Sequence, residues 1–168
     1  MANTYVAIAS VTVGSGGVSS LDFQNIPQTY TDLILLVSAR DNRGFTFDNL
    51  APSFNGSTSN FTTNALYAYS GVTAASGTGA NYQYANGNSG TASVFSNFQW
   101  YIPNYTSSNY KSWSNECVTE DNSSNNILSL SANLWSNTAA IDRITLTPVN
   151  GTSLSQYTTA TLYGIKNS

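Results

Sequence analysis

The sequence has no histidine, one cysteine (Cys117) and five basic residues, Arg40, Arg43, Lys111, Arg143 and Lys166. Each shortage excludes a class of function. Without histidine there is no imidazole base, no imidazole metal ligand and no side chain that ordinarily titrates near neutral pH. Ser-His-Asp and Cys-His catalysis are ruled out. A transition-metal site would have to rely on oxygen ligands. One cysteine cannot close an intrachain disulfide, and within Asn115-Glu-Cys-Val-Thr119 it reads as a small buried hydrophobe. Five scattered cations on a chain of net charge −3 form no basic stripe for phosphates and no attraction to an anionic bilayer. The expected partners therefore include no nucleic acid and no membrane. No apolar run approaches the ~20 residues of a membrane span. Met1-Ala-Asn-Thr-Tyr5 lacks the basic start and apolar core of a secretory signal, so the expectation is assembly in a cytoplasm and release by a route such as lysis.

Charge of either sign is scarce. Only 8% of the residues are charged, against about 25% in an average soluble domain. Ser, Thr, Asn, Gly and Tyr take their place, so solubility rests on hydroxyls and amides. Aromatics make up 12%, which separates the chain from disordered sequences. The 168 residues fit one domain with a sizeable core.

The few carboxylates offer little chemistry. Glu116 and Glu120 share a strand face, but residues four apart on a strand are about 13 Å apart. A retaining glycosidase needs its pair about 5–5.5 Å apart. Asp41-Asn42 with Asp48, or Glu120-Asp121-Asn122, supply some of the oxygens calcium wants, yet neither matches the EF-hand loop, and Asx turns explain both. There is no Walker A loop and no dinucleotide fingerprint. The reading is of a protein with no catalytic residues and no cofactor.

What the chain does have is period-2 alternation. Tyr5–Val13, Val18–Phe23, Ala51–Asn55, Ala65–Tyr69, Val94–Ile102, Ser112–Thr119, Ile127–Trp135, Ile141–Leu146 and Ser155–Ile165 read as strands bounded by Gly, Pro and Asn clusters. Ile127–Trp135 alternates through Leu128, Leu130, Ala132 and Leu134. Leu33–Ala39 is a continuous apolar run and reads as a strand buried on both faces. Residues 71–90, rich in Gly, Ser, Ala, Asn and Thr, read as a long surface loop or arm. Nine or ten short strands and no amphipathic helix predict one all-β domain spanning residues 1–168, an antiparallel β-sandwich and by strand count a jelly roll. Ile26-Pro-Gln-Thr-Tyr30 and Ile102-Pro-Asn-Tyr105 are similar, and equivalent corners and chance likeness both account for them.

The densest aromatic segment holds Trp100, Tyr101, Tyr105, Tyr110 and Trp113, with Asn104 and Asn109 between. Three readings stand: core packing with a tyrosine corner, a subunit interface, and a glycan platform.

Several segments resemble a group of small virion-associated proteins of tailed phages, particularly marine and cyanobacterial ones. They are Ile8-Ala-Ser-Val-Thr-Val-Gly-Ser-Gly-Gly17, Phe23-Gln-Asn-Ile-Pro-Gln-Thr-Tyr-Thr-Asp-Leu33, Tyr101-Ile-Pro-Asn-Tyr-Thr-Ser-Ser-Asn-Tyr-Lys111, Leu134-Trp-Ser-Asn-Thr-Ala-Ala-Ile141 and Ala160-Thr-Leu-Tyr-Gly-Ile-Lys166. The resemblance covers nearly the whole chain and is weakest from about Asp41 to Ser93. It implies a structural role in the virion, as a capsid decoration or a head or tail fibre tip. It implies contacts with major capsid or tail proteins and brings no catalytic motif. A homo-oligomer is expected, with a trimer favoured by the three-fold symmetry common among decoration and fibre proteins. The alternatives are a module binding a host surface glycan, and a self-assembling extracellular fibre subunit joined by strand donation.

Overall fold

The structure is a computed structural model that describes residues 5–69, 75–78, 83–122 and 125–166. Those residues contain twelve strands and no helix: β1 (Tyr5–Thr12), β2 (Leu21–Phe23), β3 (Asp32–Ala39), β4 (Phe47–Phe54), β5 (Phe61–Tyr69), β6 (Ala75–Thr78), β7 (Tyr84–Asn86), β8 (Ser96–Ile102), β9 (Lys111–Thr119), β10 (Ile127–Trp135), β11 (Ile144–Pro148) and β12 (Thr159–Ile165). They form an eight-stranded sheet in the order β1-β12-β3-β8-β9-β10-β5-β6 and a four-stranded sheet in the order β2-β11-β4-β7. Every pairing between these strands is antiparallel.

The two sheets pack through an aromatic cluster. Phe54 at the end of β4 meets Trp100, Trp113 and Trp135 with ring centroids at 6.1, 5.0 and 5.5 Å, all edge to face. These three tryptophans stand on the adjacent strands β8, β9 and β10, so one phenylalanine locks the small sheet onto the middle of the large one. Aliphatic residues from both sheets, among them Leu35, Leu50, Ile144 and Leu162, complete the core.

The expected antiparallel β-sandwich is what the chain forms. The jelly-roll pattern is not confirmed: that fold splits eight strands into two Greek keys, whereas here the sheets hold eight and four strands. The strand β3, expected to be buried on both faces, has its inward face and Ile34 buried, whereas Leu36 is 40% exposed and Ser38 half-buried on the outward face. The two Ile-Pro corners meet. Ile26 and Ile102 are both buried, the Tyr105 hydroxyl donates to the Pro27 carbonyl, and Asn25 and Asn104 both adopt positive φ, 54° and 50°.

Residues 71–90 are not a surface loop throughout. Ala75–Thr78 pairs with β5 as an edge strand. Tyr84–Asn86 pairs with β4, and Gln83, Tyr84, Ala85 and Asn86 are buried. The reason is local anchoring: the Tyr84 ring packs against Phe47, and Gly87 brings its backbone so close to Phe45 that a Cβ there would lie 2.2 Å from the Phe45 carbonyl oxygen. The remainder of the expected arm, residues 71–74 and 79–82, lies outside the described residues.

Candidate interaction surface

The five aromatics singled out by the sequence do not form one contact surface. Trp100, Tyr105 and Trp113 are core residues at 0%, 0% and 3% exposure, which rules out their contacting a partner or a glycan. Strand alternation is the cause. Trp100 and Trp113 occupy the inward positions of β8 and β9, whose burial patterns alternate strictly over their first seven residues. Tyr101, one residue on, faces out with Tyr110 beyond it in the connecting loop, and both are exposed. The Tyr101 hydroxyl donates to Asp32 Oδ2 at 3.0 Å, and that bond raises its pKa. The loop carrying Tyr110 is closed by buried Lys111, whose ammonium donates to the carbonyls of Ser107, Asn109 and Thr138. Burial lowers its pKa.

The feature that sequence reasoning missed lies on β10. An antiparallel strand with one solvated face normally buries its apolar side chains. On β10 the middle of the strand does the opposite: Ser129, Ser131 and Asn133 are buried, while Leu128 and Leu130 are 61% and 51% exposed. Buried polar groups of β10 bond those of its neighbours. Thr63 donates to Asn133 Oδ1 at 2.8 Å, Asn115 Nδ2 donates to Ser131 Oγ at 3.2 Å, and Asn133 Nδ2 donates to the Trp113 carbonyl and to Ser131. The inward face of β10 is therefore apolar at its ends, Ile127 and Trp135, and hydroxyl- and amide-lined between them. Buried polar groups with partners cost little, while unpartnered ones cost several kcal/mol.

The leucines turned outward lie on the open face of the large sheet. Strand register sets the side chains there in rows. The central row runs Thr161, Leu36, Gln99, Glu116, Leu130, Leu66 across β12, β3, β8, β9, β10 and β5. One flanking row places Val118, Leu128 and Ala68 side by side, next to Asn97. Leu66, at 56% exposure, Leu128, Leu130, Ala68 and Val118 thus form one contiguous apolar patch, bordered by Asn97, Gln99 and Glu116. Together these residues line an open groove of about 480 Å³. In these two rows the only carboxylate is Glu116, and there is no lysine or arginine.

The carboxylates paired by sequence, Asp41 and Asp48, are brought together and fully buried. They are not set up as a calcium site. Asp48 accepts hydrogen bonds from the amides of Asn49, Asn150 and Gly151, from Asn150 Nδ2 and from the Arg43 guanidinium at 3.3 Å. Its lone pairs are committed to N–H donors. Among the described residues no group of three or more His, Cys, Asp or Glu is placed to hold a metal. Cys117 is buried, and desolvation pushes its thiol up to about 12, so it is inert.

Comparison of the chain with protein-family models, with curated proteins and with solved structures finds no match.

Proposed function

We propose that this chain is a non-enzymatic structural protein of a tailed-phage particle, a surface component that works through protein–protein contacts of its large sheet. The observation that carries the mode of action is the outward leucine face on β5 and β10. A contiguous exposed apolar patch marks a contact site, and this one stands over buried, hydrogen-bonded serines and asparagines. The particle setting rests on the resemblance of the segments quoted above.

The test is the protein content of purified particles from the source phage. The chain is expected there at many copies if it decorates the capsid and at a few copies if it tips a fibre. Particles that lack it would overturn the proposal. A second reading, recognition of a host glycan, is favoured by the groove bordered by Asn97, Gln99 and Glu116, where amides and a carboxylate face sugar hydroxyls. A glycan array probed with the pure chain tests it, and silence across the array removes it.

A further inference from the structure

The open face of the large sheet matches itself. We infer that it is the interface of a two-fold dimer in which a second copy of this chain lies face to face on the first. The inference deepens the reading above by naming the partner of that surface.

The strand order β1-β12-β3-β8-β9-β10-β5-β6 has its midline between β8 and β9. A two-fold axis lying in the interface, parallel to the strands and over that midline, superimposes four strands on four. It sets Gln99 over the second copy's Glu116, and Leu36 over its Leu130, each pairing occurring twice. Glu116 then meets an amide donor rather than its own copy, Leu36 and Leu130 meet each other, and Leu66 lies over Thr161. The flanking rows pair large with small under the same operation: Tyr101 faces Ser114, Ile34 faces Ala132, and Leu128 faces Ser38. Such alternation lets side chains from two sheets interdigitate.

The size also suffices. Eight strands at about 4.8 Å and about 25 Å along the strands give a face of roughly 900 Å², against about 800 Å² per partner in a standard stable interface. With Asp32 buried and taken up by Tyr101, Glu116 is left with amide and hydroxyl neighbours and no base in its row, so the face carries no charge pattern that would single out a foreign partner. The geometry is two-fold, where the sequence led to an expected trimer. A closed three-fold ring needs two different complementary patches on each copy, and this face supplies one patch that is its own complement.

Sedimentation equilibrium of the full chain is expected to show a dimer. Leu130→Glu and Leu36→Glu are each expected to raise the dissociation constant at least about 30-fold. Both sites are exposed, so the fold survives. Position is read by crosslinking. Leu36→Cys and Leu130→Cys proteins are mixed and treated with a short bis-maleimide, Cys117 being buried. Facing positions lie about 10 Å apart and like positions about 17 Å apart, so the mixture is expected to link and each variant alone is not. A chain that stays monomeric at all concentrations, a dimer indifferent to both glutamates, or like-with-like crosslinks would overturn the inference. So would a monomer whose glycan-array signal is lost in Gln99→Ala. A monomer that is nonetheless found in particles would leave the proposed function standing, and a dimer absent from particles would do the reverse.

Discussion

Asp41 and Asp48 show how single residues set the pH response of this protein. Burial pushes the Asp41 carboxyl up to about 7, and its hydrogen bond to Asp48 adds to the shift. Its Oδ2 is buried with no hydrogen-bond partner, which favours the neutral carboxyl. For Asp48 burial also acts upward, but hydrogen bonds from Asn150, Gly151 and Asp41 outweigh it and hold the pKa below the ordinary value. The Arg43 guanidinium pairs with Asp48 at 3.3 Å. The folded state thus binds one more proton than the unfolded chain between pH 3.8 and about 7. The stabilisation from Asp41 is complete below 3.8 and lost as pH rises through about 7. Asp22 works in the opposite sense. The Arg143 guanidinium holds its carboxyl down to about 2, so that contribution exists above 3.8 and fades as pH falls towards 2. Asp41→Asn keeps a donor to Asp48 at every pH. Urea unfolding at pH 5 and pH 8 is expected to show the native chain losing stability at up to about 1.4 kcal/mol per pH unit over this range. The variant is expected to hold level. A native chain equally stable at both pH values would show that the pair does not share a proton.

At the scale of the element, β10 decides what the protein presents to its surroundings. Asn133 is buried and bonded to Thr63, Trp113 and Ser131, whereas Leu130 is half exposed. Asn133→Ala strands the Thr63 hydroxyl and is expected to cost about 1–3 kcal/mol. Leu130→Ser is expected to change the stability of the isolated chain by less than about 0.5 kcal/mol, although a core leucine would cost about 2–5 kcal/mol. Chemical denaturation of the two variants reads the difference directly, and the reverse order would mean the strand is turned the other way. The same strand shows what sequence could and could not supply. Alternation locates Ile127–Trp135 to the residue, because a period of two is what a pleated strand imposes. It does not say which half faces inward, since that depends on Asn115 and Thr63 arriving from β9 and β5 to partner the serines and Asn133. In β8 and β9 the tryptophans left core, interface and glycan platform open, and they proved to be core. Neighbouring Trp100 and Tyr101 necessarily face opposite ways, so a cluster in sequence is split in space. Tyr84–Asn86 escaped notice for a different reason. Three residues carry no period, and only the pairing with β4 and the packing of Tyr84 on Phe47 make them a strand.

At the scale of the whole molecule, the scarcity of charge becomes a statement about assembly. Five cations and eight carboxylates in 168 residues leave few ionic contacts to make. The ion pairs found among the described residues, Arg43–Asp48 and Arg143–Asp22, are internal to the chain. An interface on the large sheet would be built from leucine, tyrosine, hydroxyl and amide groups. Surface ion pairs are screened within about 10 Å at 0.1 M salt, whereas apolar burial is strengthened by excluded salts such as sulfate. Self-association measured from about 0.05 to 0.5 M sodium chloride is therefore expected to change less than about three-fold, and to tighten in sodium sulfate. An interface held by charge would weaken steeply over the same range. Assembly that dissolves in sodium chloride would locate the contact on the edges that carry Asp22, Arg143 and Lys166 rather than on the leucine face.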